Sequence, residues 1–261
     1  MSRQAGGRFT VVGCGTVVPE ADRSCSAYLL EAGSARVLLD CGPGTVRSLA
    51  RVGADWTAIT DVWISHFHTD HIGDIPALLF SLKWGLLPET RSAPLTIWGP
   101  RGTRRVLEGF AAATGNHVLE PGFEVEVREV DAGAIQPFAS GLELRTLDTP
   151  HTDESLAMRL EGAGVSVAYT GDTGPDAPLG AFASGSALFV CECSLPDELV
   201  GGNHLSPASV ARFAAEADPT TLLLTHVYPQ FRAAADVPSL VRAAGFSRSV
   251  ELAVEGWQTT F

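Results

Sequence analysis

The chain has 261 residues, 45% of them apolar and 18% charged, enough to bury one large core or two modest ones. Basic residues number 18 against 30 acidic ones, a formal charge of −12, and Lys83 is the sole lysine; this argues against broad phosphate-backbone binding and leaves room for a small phosphorylated ligand. No apolar run approaches the ~20 residues that span a bilayer. Residues 1–8 lack a signal-like apolar core, so a cytoplasmic protein is expected, with no membrane partner. Its cysteines (Cys14, Cys25, Cys41, Cys191 and Cys193) form no CxxC pair and read as reduced, mostly buried thiols.

Taken in order, 8–12 reads as a strand closed by the turn Gly13-Cys14-Gly15-Thr16, and 27–31 with 36–40 as a hairpin. Cys41-Gly42-Pro43-Gly44 breaks the sheet, and 45–52 follows as a helix ended by Gly53. A strand at 61–64 leads into an apolar helix over 72–84, with Pro76 tolerable in its first turns. Then come a strand at 95–98, a helix at 102–113, and four strands at 124–130, 142–147, 156–160 and 165–169 that look antiparallel. Segments 176–183, 188–192, 206–217, 221–225 and 237–244 restore strand–helix alternation. With no Pro/Gly/Ser linker, residues 1–261 are expected to form one layered domain.

The stretch Ser65-His66-Phe67-His68-Thr69-Asp70-His71 sits directly behind the apolar run Val62-Trp63-Ile64. On an extended segment, residues two apart point the same way, so His66 and His68 can hold one cation together. Asp70 and His71 fall where the chain turns into a helix and aim at a neighbouring point. Imidazole with carboxylate is a ligand set for zinc, manganese or iron. Three more candidates each lie just past an apolar strand: His151, Asp172 and His226. Such strand ends are where sites collect in layered α/β proteins.

Together His66-x-His68-x-Asp70-His71, His151, Asp172 and His226 resemble the motif set of the metallo-β-lactamase superfamily, and Asp40 in Leu-Leu-Asp-Cys-Gly-Pro-Gly matches its early Asp-x-Gly element. The resemblance implies an α/β fold of four layers, an αββα sandwich, with two divalent ions, zinc in the first place and manganese as the alternative. One ion would take His66, His68 and His151, the other Asp70, His71 and His226, with Asp172 between them. Asp172, where many true β-lactamases place a cysteine, speaks against lactam hydrolysis. Gly13-x-Gly15-Thr16-x-x-Pro19, and Glu192 followed by His204 in Asn-His-Leu-Ser-Pro, are similar to the ribonuclease Z branch, in which such a Glu and His assist phosphodiester cleavage.

That branch clamps tRNA with a long arm inserted between the positions matching His151 and Asp172. Here the interval holds two strands and the turn Glu161-Gly162-Ala163-Gly164, so the expected substrate is a small or cyclic nucleotide-type phosphodiester rather than an extended nucleic acid. In this reading water held between the ions attacks phosphorus, Asp70 orients it, His204 gives a proton to the departing oxygen and Glu192 fixes the His204 tautomer. The rivals are a tRNA 3′ endonuclease and an ester, thioester or lactone hydrolase of the glyoxalase II or lactonase type. A non-enzymatic binding module would have little reason to retain the full ligand set. Asp40 reads as structural, Asp74 as solvated or a cap, and His117 stays unassigned. Arg101, Arg104 and Arg105 read as a solvated face, with phosphate steering as the alternative. The face of Ile72, Leu78, Leu79, Leu82 and Trp84 reads as core, or as a homodimer contact by family resemblance.

Overall fold

The computed structural model describes residues 6–261. Its first half runs β1 (Arg8–Gly13), β2 (Ala27–Ala32), β3 (Ala35–Leu39), α1 (Thr45–Arg51), β4 (Asp61–Trp63), α2 (Thr69–Ile72), α3 (Ile75–Trp84), β5 (Leu95–Pro100), α4 (Thr103–Thr114) and β6 (Val125–Val130). The second half runs β7 (Ile135–Pro137), β8 (Glu143–Asp148), β9 (Leu156–Gly162), β10 (Val165–Tyr169), α5 (Leu179–Phe182), β11 (Leu188–Glu192), α6 (Pro207–Ala217), β12 (Thr221–Thr225), α7 (Pro229–Ala234), α8 (Val237–Ala243), β13 (Ser249–Leu252) and β14 (Gln258–Thr260).

Two seven-stranded sheets result, ordered β14-β1-β2-β3-β4-β5-β6 and β13-β12-β11-β10-β9-β8-β7. Their facing surfaces interleave: Phe9, Tyr28, Leu30, Leu39 and Trp63 of the first sheet pack on Met158, Leu160, Val167, Tyr169 and Val190 of the second. The outer face of the first sheet is covered by Leu49, Leu78, Leu79, Leu82 and Leu107 from α1, α3 and α4. The outer face of the second is covered by Val210, Phe213, Ala214 and Val241 from α6 and α8. The architecture is therefore the four-layer αββα sandwich. Strands β11 and β12 read Leu-Phe-Val-Cys-Glu and Thr-Leu-Leu-Leu-Thr because each is apolar-packed on both faces, as expected for interior strands with parallel neighbours.

Strand direction places the site. Strands β8, β10, β11 and β12 all run one way: β9 is antiparallel to both β8 and β10, and β10, β11 and β12 are mutually parallel. Their C-terminal ends therefore open on one edge of the sheet.

Several expectations need correction. Segment 124–130 is not part of an antiparallel set: β6 pairs parallel with β5 at the edge of the first sheet. It alternates exposed and half-buried residues, and only its connection through α4 reveals the direction. The single helix expected over 72–84 is split at Gly73-Asp74 into α2 and α3. Trp84 is not core but 48% exposed, whereas Ile72, Leu78, Leu79 and Leu82 are buried. For Asp74 the cap reading holds over the solvated one: it is half-buried and accepts the backbone N–H of Val46 at 3.1 Å at the start of α1. Strands β7, β13 and β14 were not foreseen. They are short, half-exposed segments with little apolar signal.

Candidate metal centre

The chain leaves β4 in extended form and turns into α2 at Thr69, so His66 and His68 belong to the extended segment and Asp70 and His71 to the helix. His151 follows β8, Asp172 follows β10, Glu192 ends β11 and His226 follows β12. His226 sits at φ 54°, in the left-handed region that histidine tolerates better than most residues. All seven candidate ligands meet at one place.

The donor atoms of His66, His68 and His151 lie within 4.8 Å of one another, as do those of Asp70, His71 and His226, and those of His66, His71 and Asp172. Each outer nitrogen is held from behind. His66 Nδ1 lies 3.0 Å from Ser65 Oγ, and His226 Nδ1 lies 3.1 Å from Ser194 Oγ. His71 Nδ1 donates to Asp40 Oδ2 at 2.7 Å, and His151 Nδ1 donates to the Asn203 carbonyl at 2.8 Å. That leaves Nε2 of each ring turned inward, the arrangement by which ligand histidines are oriented. His68 instead turns Nδ1 inward, 3.0 Å from His151 Nε2.

Among the described residues three of the inward atoms, His66 Nε2, His71 Nε2 and Asp172 Oδ1, are buried without a hydrogen-bond partner, although His71 Nε2 and Asp172 Oδ1 lie 3.4 Å apart as an ion pair. Orphaned polar atoms of this kind are costly unless something else binds them. Four carboxylates, Asp40, Asp70, Asp172 and Glu192, lie under the same roof, none more than 7% exposed. The electrostatics ask for positive charge. Burial lowers the His71 pKa, yet the charges of Asp172 and Asp40 outweigh it and raise that pKa well above its ordinary value. Burial raises the Asp172 pKa, yet His226 and His71 outweigh it and hold the carboxyl well below the usual range. His66 goes the other way: burial, then His71, keeps it neutral with a free lone pair. Imidazole nitrogens and carboxylate oxygens in this arrangement fit divalent metal ions.

Beside these clusters stands His204. Its Nδ1 lies 3.0 Å and 3.2 Å from the two oxygens of Glu192, which is fully buried and also accepts the backbone N–H of Thr173 at 2.7 Å and of Leu205 at 3.2 Å. Burial pulls the His204 pKa down, but the hydrogen bond and charge of Glu192 outweigh it and push it up to about 9. His204, His68, Asp70, His151, Asp172 and His226 line one open cavity of about 400 Å³. Cys191 and Cys193 pack on the helix side of the sheet, away from Glu192.

Asp40 acts as the structural residue expected of it, whereas Ser194 and Tyr228 were not foreseen. Asp40, at φ 56° and fully buried, accepts from Ser65 N at 2.8 Å, Ser65 Oγ at 2.8 Å and Tyr169 OH at 2.7 Å besides His71. Ser194 Oγ contacts Glu192 Oε2 at 2.5 Å as well as His226, and Tyr228 joins the cavity wall. Ser194 stands two residues after Glu192, so the alternation of an extended chain could have suggested it; Tyr228 carries no such signal. The remaining candidates lie elsewhere. His117 stacks edge-on against Phe80, Arg101 is paired with Asp131 on the surface, and neither borders the cavity.

The fold and the clustered histidines define a hydrolase-type metal-binding sandwich. A family profile described as "Beta-lactamase superfamily domain" matches residues 35–227. Ribonuclease Z of Mycobacterium sp. (strain KMS) is 32% identical over 93% of this chain and 92% of its own length. Among solved structures, the metallo-beta-lactamase fold protein YhfI from Bacillus subtilis is 25% identical, covering 98% of this chain and 100% of its own with a TM-score of 0.84. The short form of human tRNase Z is 21% identical, covering 97% and 98%, with a TM-score of 0.78. The chain belongs to the metallo-β-lactamase superfamily and is a hydrolase on its ribonuclease Z-like side. Divalent metal binding follows from that fold and from the His/Asp clusters. Among the described residues, no helix is long and apolar enough to cross a membrane.

Proposed function

We propose that the chain, working as one domain, is a phosphodiesterase for small phosphodiesters. His66, His68 and His151 would hold one divalent ion and Asp70, His71 and His226 a second, with Asp172 reaching both; zinc is the first candidate and manganese the alternative. Such ions, when bound, polarise phosphoryl oxygens and lower the pKa of water.

The observation that carries the reading is the Glu192–His204 pair. Glu192 accepts from Nδ1–H and favours the doubly protonated ring, so Nε2 also carries a proton, which a leaving oxygen beside it in the cavity would receive. Asp70 Oδ2, 3.3 Å from His226 Nε2, is placed to orient the attacking water. A cavity of about 400 Å³ suits a small ligand, and the β9–β10 hairpin turns at 162–165 with no room for a tRNA-clamping arm. The likeness to mycobacterial ribonuclease Z supports a second reading, a tRNA 3′ endonuclease, on which a substrate larger than the cavity would dock.

The test compares bis(p-nitrophenyl) phosphate, a tRNA precursor, a thioester and a lactone under zinc and under manganese, with metal content measured by mass spectrometry. The expected outcome is diester hydrolysis, and a His204→Ala variant that loses about 10²–10⁴-fold in kcat while keeping its metal. Activity on the acyl substrates alone would end the phosphodiesterase reading, and metal lost together with activity would make His204 a ligand.

A further inference from the structure

Tyr228 lies in the connection between β12 and α7, where its ring stands 6.4 Å from that of His204 and 6.2 Å from that of His226. The same side chain walls a second cavity of about 380 Å³, lined by Leu195, Leu199, Phe231, Ala234 and Leu240. The two cavities thus share a wall. Among the described residues no charged side chain lines the second one, and two of its leucines, Leu199 and Leu240, are 70% and 40% exposed. Adjacent exposed leucines around a concavity are the usual mark of a surface that takes an apolar ligand.

This cavity is built on the segments that hold His204. Leu195 N donates to the Leu205 carbonyl at 3.4 Å, and Tyr228 N donates to the Ser194 carbonyl at 3.1 Å. The opposite flank of the metal cavity differs in character. There a space of about 430 Å³ shares Val17, Thr69 and Asp70 with it and is rimmed by Arg23, Arg47 and Arg51. One flank is charged, with Glu20 among its arginines and Arg51 paired with Glu255, and the other is apolar; His204 stands beside the apolar one, its ring 6.4 Å from that of Tyr228. A general acid must lie within hydrogen-bond reach of the oxygen it protonates. That oxygen therefore sits beside His204, and whatever it carries continues along Tyr228.

We propose that the Leu195–Leu199–Tyr228–Phe231–Leu240 cavity is an apolar subsite of the metal cavity, receiving the aryl or alkyl body of the leaving alcohol. The substrate class is then phosphodiesters with one apolar ester arm. The inference rests on the phosphodiesterase reading and on His204 as the proton donor. In the step, the oxygen of water bonds to phosphorus and the P–O bond to the apolar arm breaks. The proton on His204 Nε2 passes to the departing oxygen, and a proton from the attacking water is released and restores His204. The products are a phosphomonoester and a neutral apolar alcohol.

Methyl 4-methylphenyl phosphate and methyl 4-butylphenyl phosphate test this, because their leaving phenols differ in apolar length and scarcely in acidity. The metal-loaded enzyme is expected to favour the butyl compound by about tenfold or more in kcat/KM, as each buried methylene adds to binding. Leu199→Asp and Leu240→Asp, both at exposed positions that the fold tolerates, should bring that ratio towards one. Equal kcat/KM for the two diesters, or a preference unchanged in both variants, overturns the proposal. Calorimetric titration with 4-butylphenol gives a readout free of turnover: saturable binding lost in both variants is expected, and no binding, or equal binding by all three proteins, overturns the subsite. If no diester is hydrolysed the phosphodiesterase reading falls, and calorimetry alone then decides whether this cavity takes an apolar ligand.

Discussion

Glu192 and His204 show how burial and charge compete at one residue. Without its partner, a ring this buried would lose its proton more readily than free histidine; the Glu192 hydrogen bond and charge reverse the sign and lift its pKa to about 9. The proton-donating form is thus present at neutral pH and lost as pH rises through about 9. The same linkage makes the pair's contribution to stability complete below the ordinary histidine pKa near 6.5 and absent above the raised one. In Glu192→Gln the charge goes and the shape stays. The expected result is an alkaline limb of the kcat profile moved down by about 1–2 pH units, with metal content retained. An alkaline limb that stays in place would show that another group sets it. Ser194 adds to the outcome, since its hydroxyl contacts both Glu192 and His226, and through it the two sides of the site share one hydrogen-bonded chain.

At the scale of elements, the short α2 is positioned by backbone. Cys41 N donates to the His71 carbonyl at 2.7 Å, and Asp74 N donates to the Cys41 carbonyl at 2.9 Å, so Cys41 grips the C-terminal end of α2 through both of its backbone groups. Gly42 makes this approach feasible: a Cβ there would stand 2.0 Å from the Asp70 carbonyl oxygen and 2.6 Å from Cys25 Cβ. Gly42→Ala is therefore expected to push Asp70 and His71 away from His226 and to weaken metal affinity by about 10–100-fold, as losses of supporting contacts around metal ligands do. Equilibrium dialysis of wild type and variant checks it, and equal affinity would refute it. The close approach explains why Cys41-Gly42-Pro43-Gly44 was readable as a sheet break and not as the clamp beneath the site. A glycine announces room in the backbone, not what fills it. The interior strands and the seven candidate ligands were legible because apolar runs ending in His or Asp are a local pattern. The parallel direction of β6 and the edge strands β13 and β14 were not, since an edge strand's pairing depends on residues far away in the chain. Tyr228 was hidden for the same reason: its role comes from a cavity that α7 and α8 close, which no local spacing encodes.

Across the whole molecule, the site joins the two sheets. His66, His68, Asp70 and His71 follow β4 of the first sheet, while His151, Asp172 and His226 follow strands of the second. Without a cation, protein-only ties at this edge include Tyr28 OH to Thr225 Oγ1 at 2.5 Å and Tyr169 OH to Asp40 Oδ2 at 2.7 Å. Among the described residues the inward atoms of His66, His71 and Asp172 lack a hydrogen-bond partner, and the Asp172 carboxyl depends on the neighbouring His226 and His71 to hold it ionised. A divalent ion answers both needs, and it binds the folded chain alone, because the unfolded chain scatters ligands drawn from 66 to 226. Mass action then converts metal affinity into stability: at a free metal concentration of 100 times Kd the gain is about 2.7 kcal/mol. For a chain of this size that corresponds to roughly 5–10 °C in Tm. Thermal unfolding of the metal-loaded protein with and without a chelator should show that drop. In Asp172→Asn, which lacks the carboxylate proposed to reach both ions, the chelator should lower Tm by much less. A wild-type Tm indifferent to the chelator would mean that the histidines satisfy one another without metal, through rings that share protons across contacts such as the 3.0 Å between His68 Nδ1 and His151 Nε2.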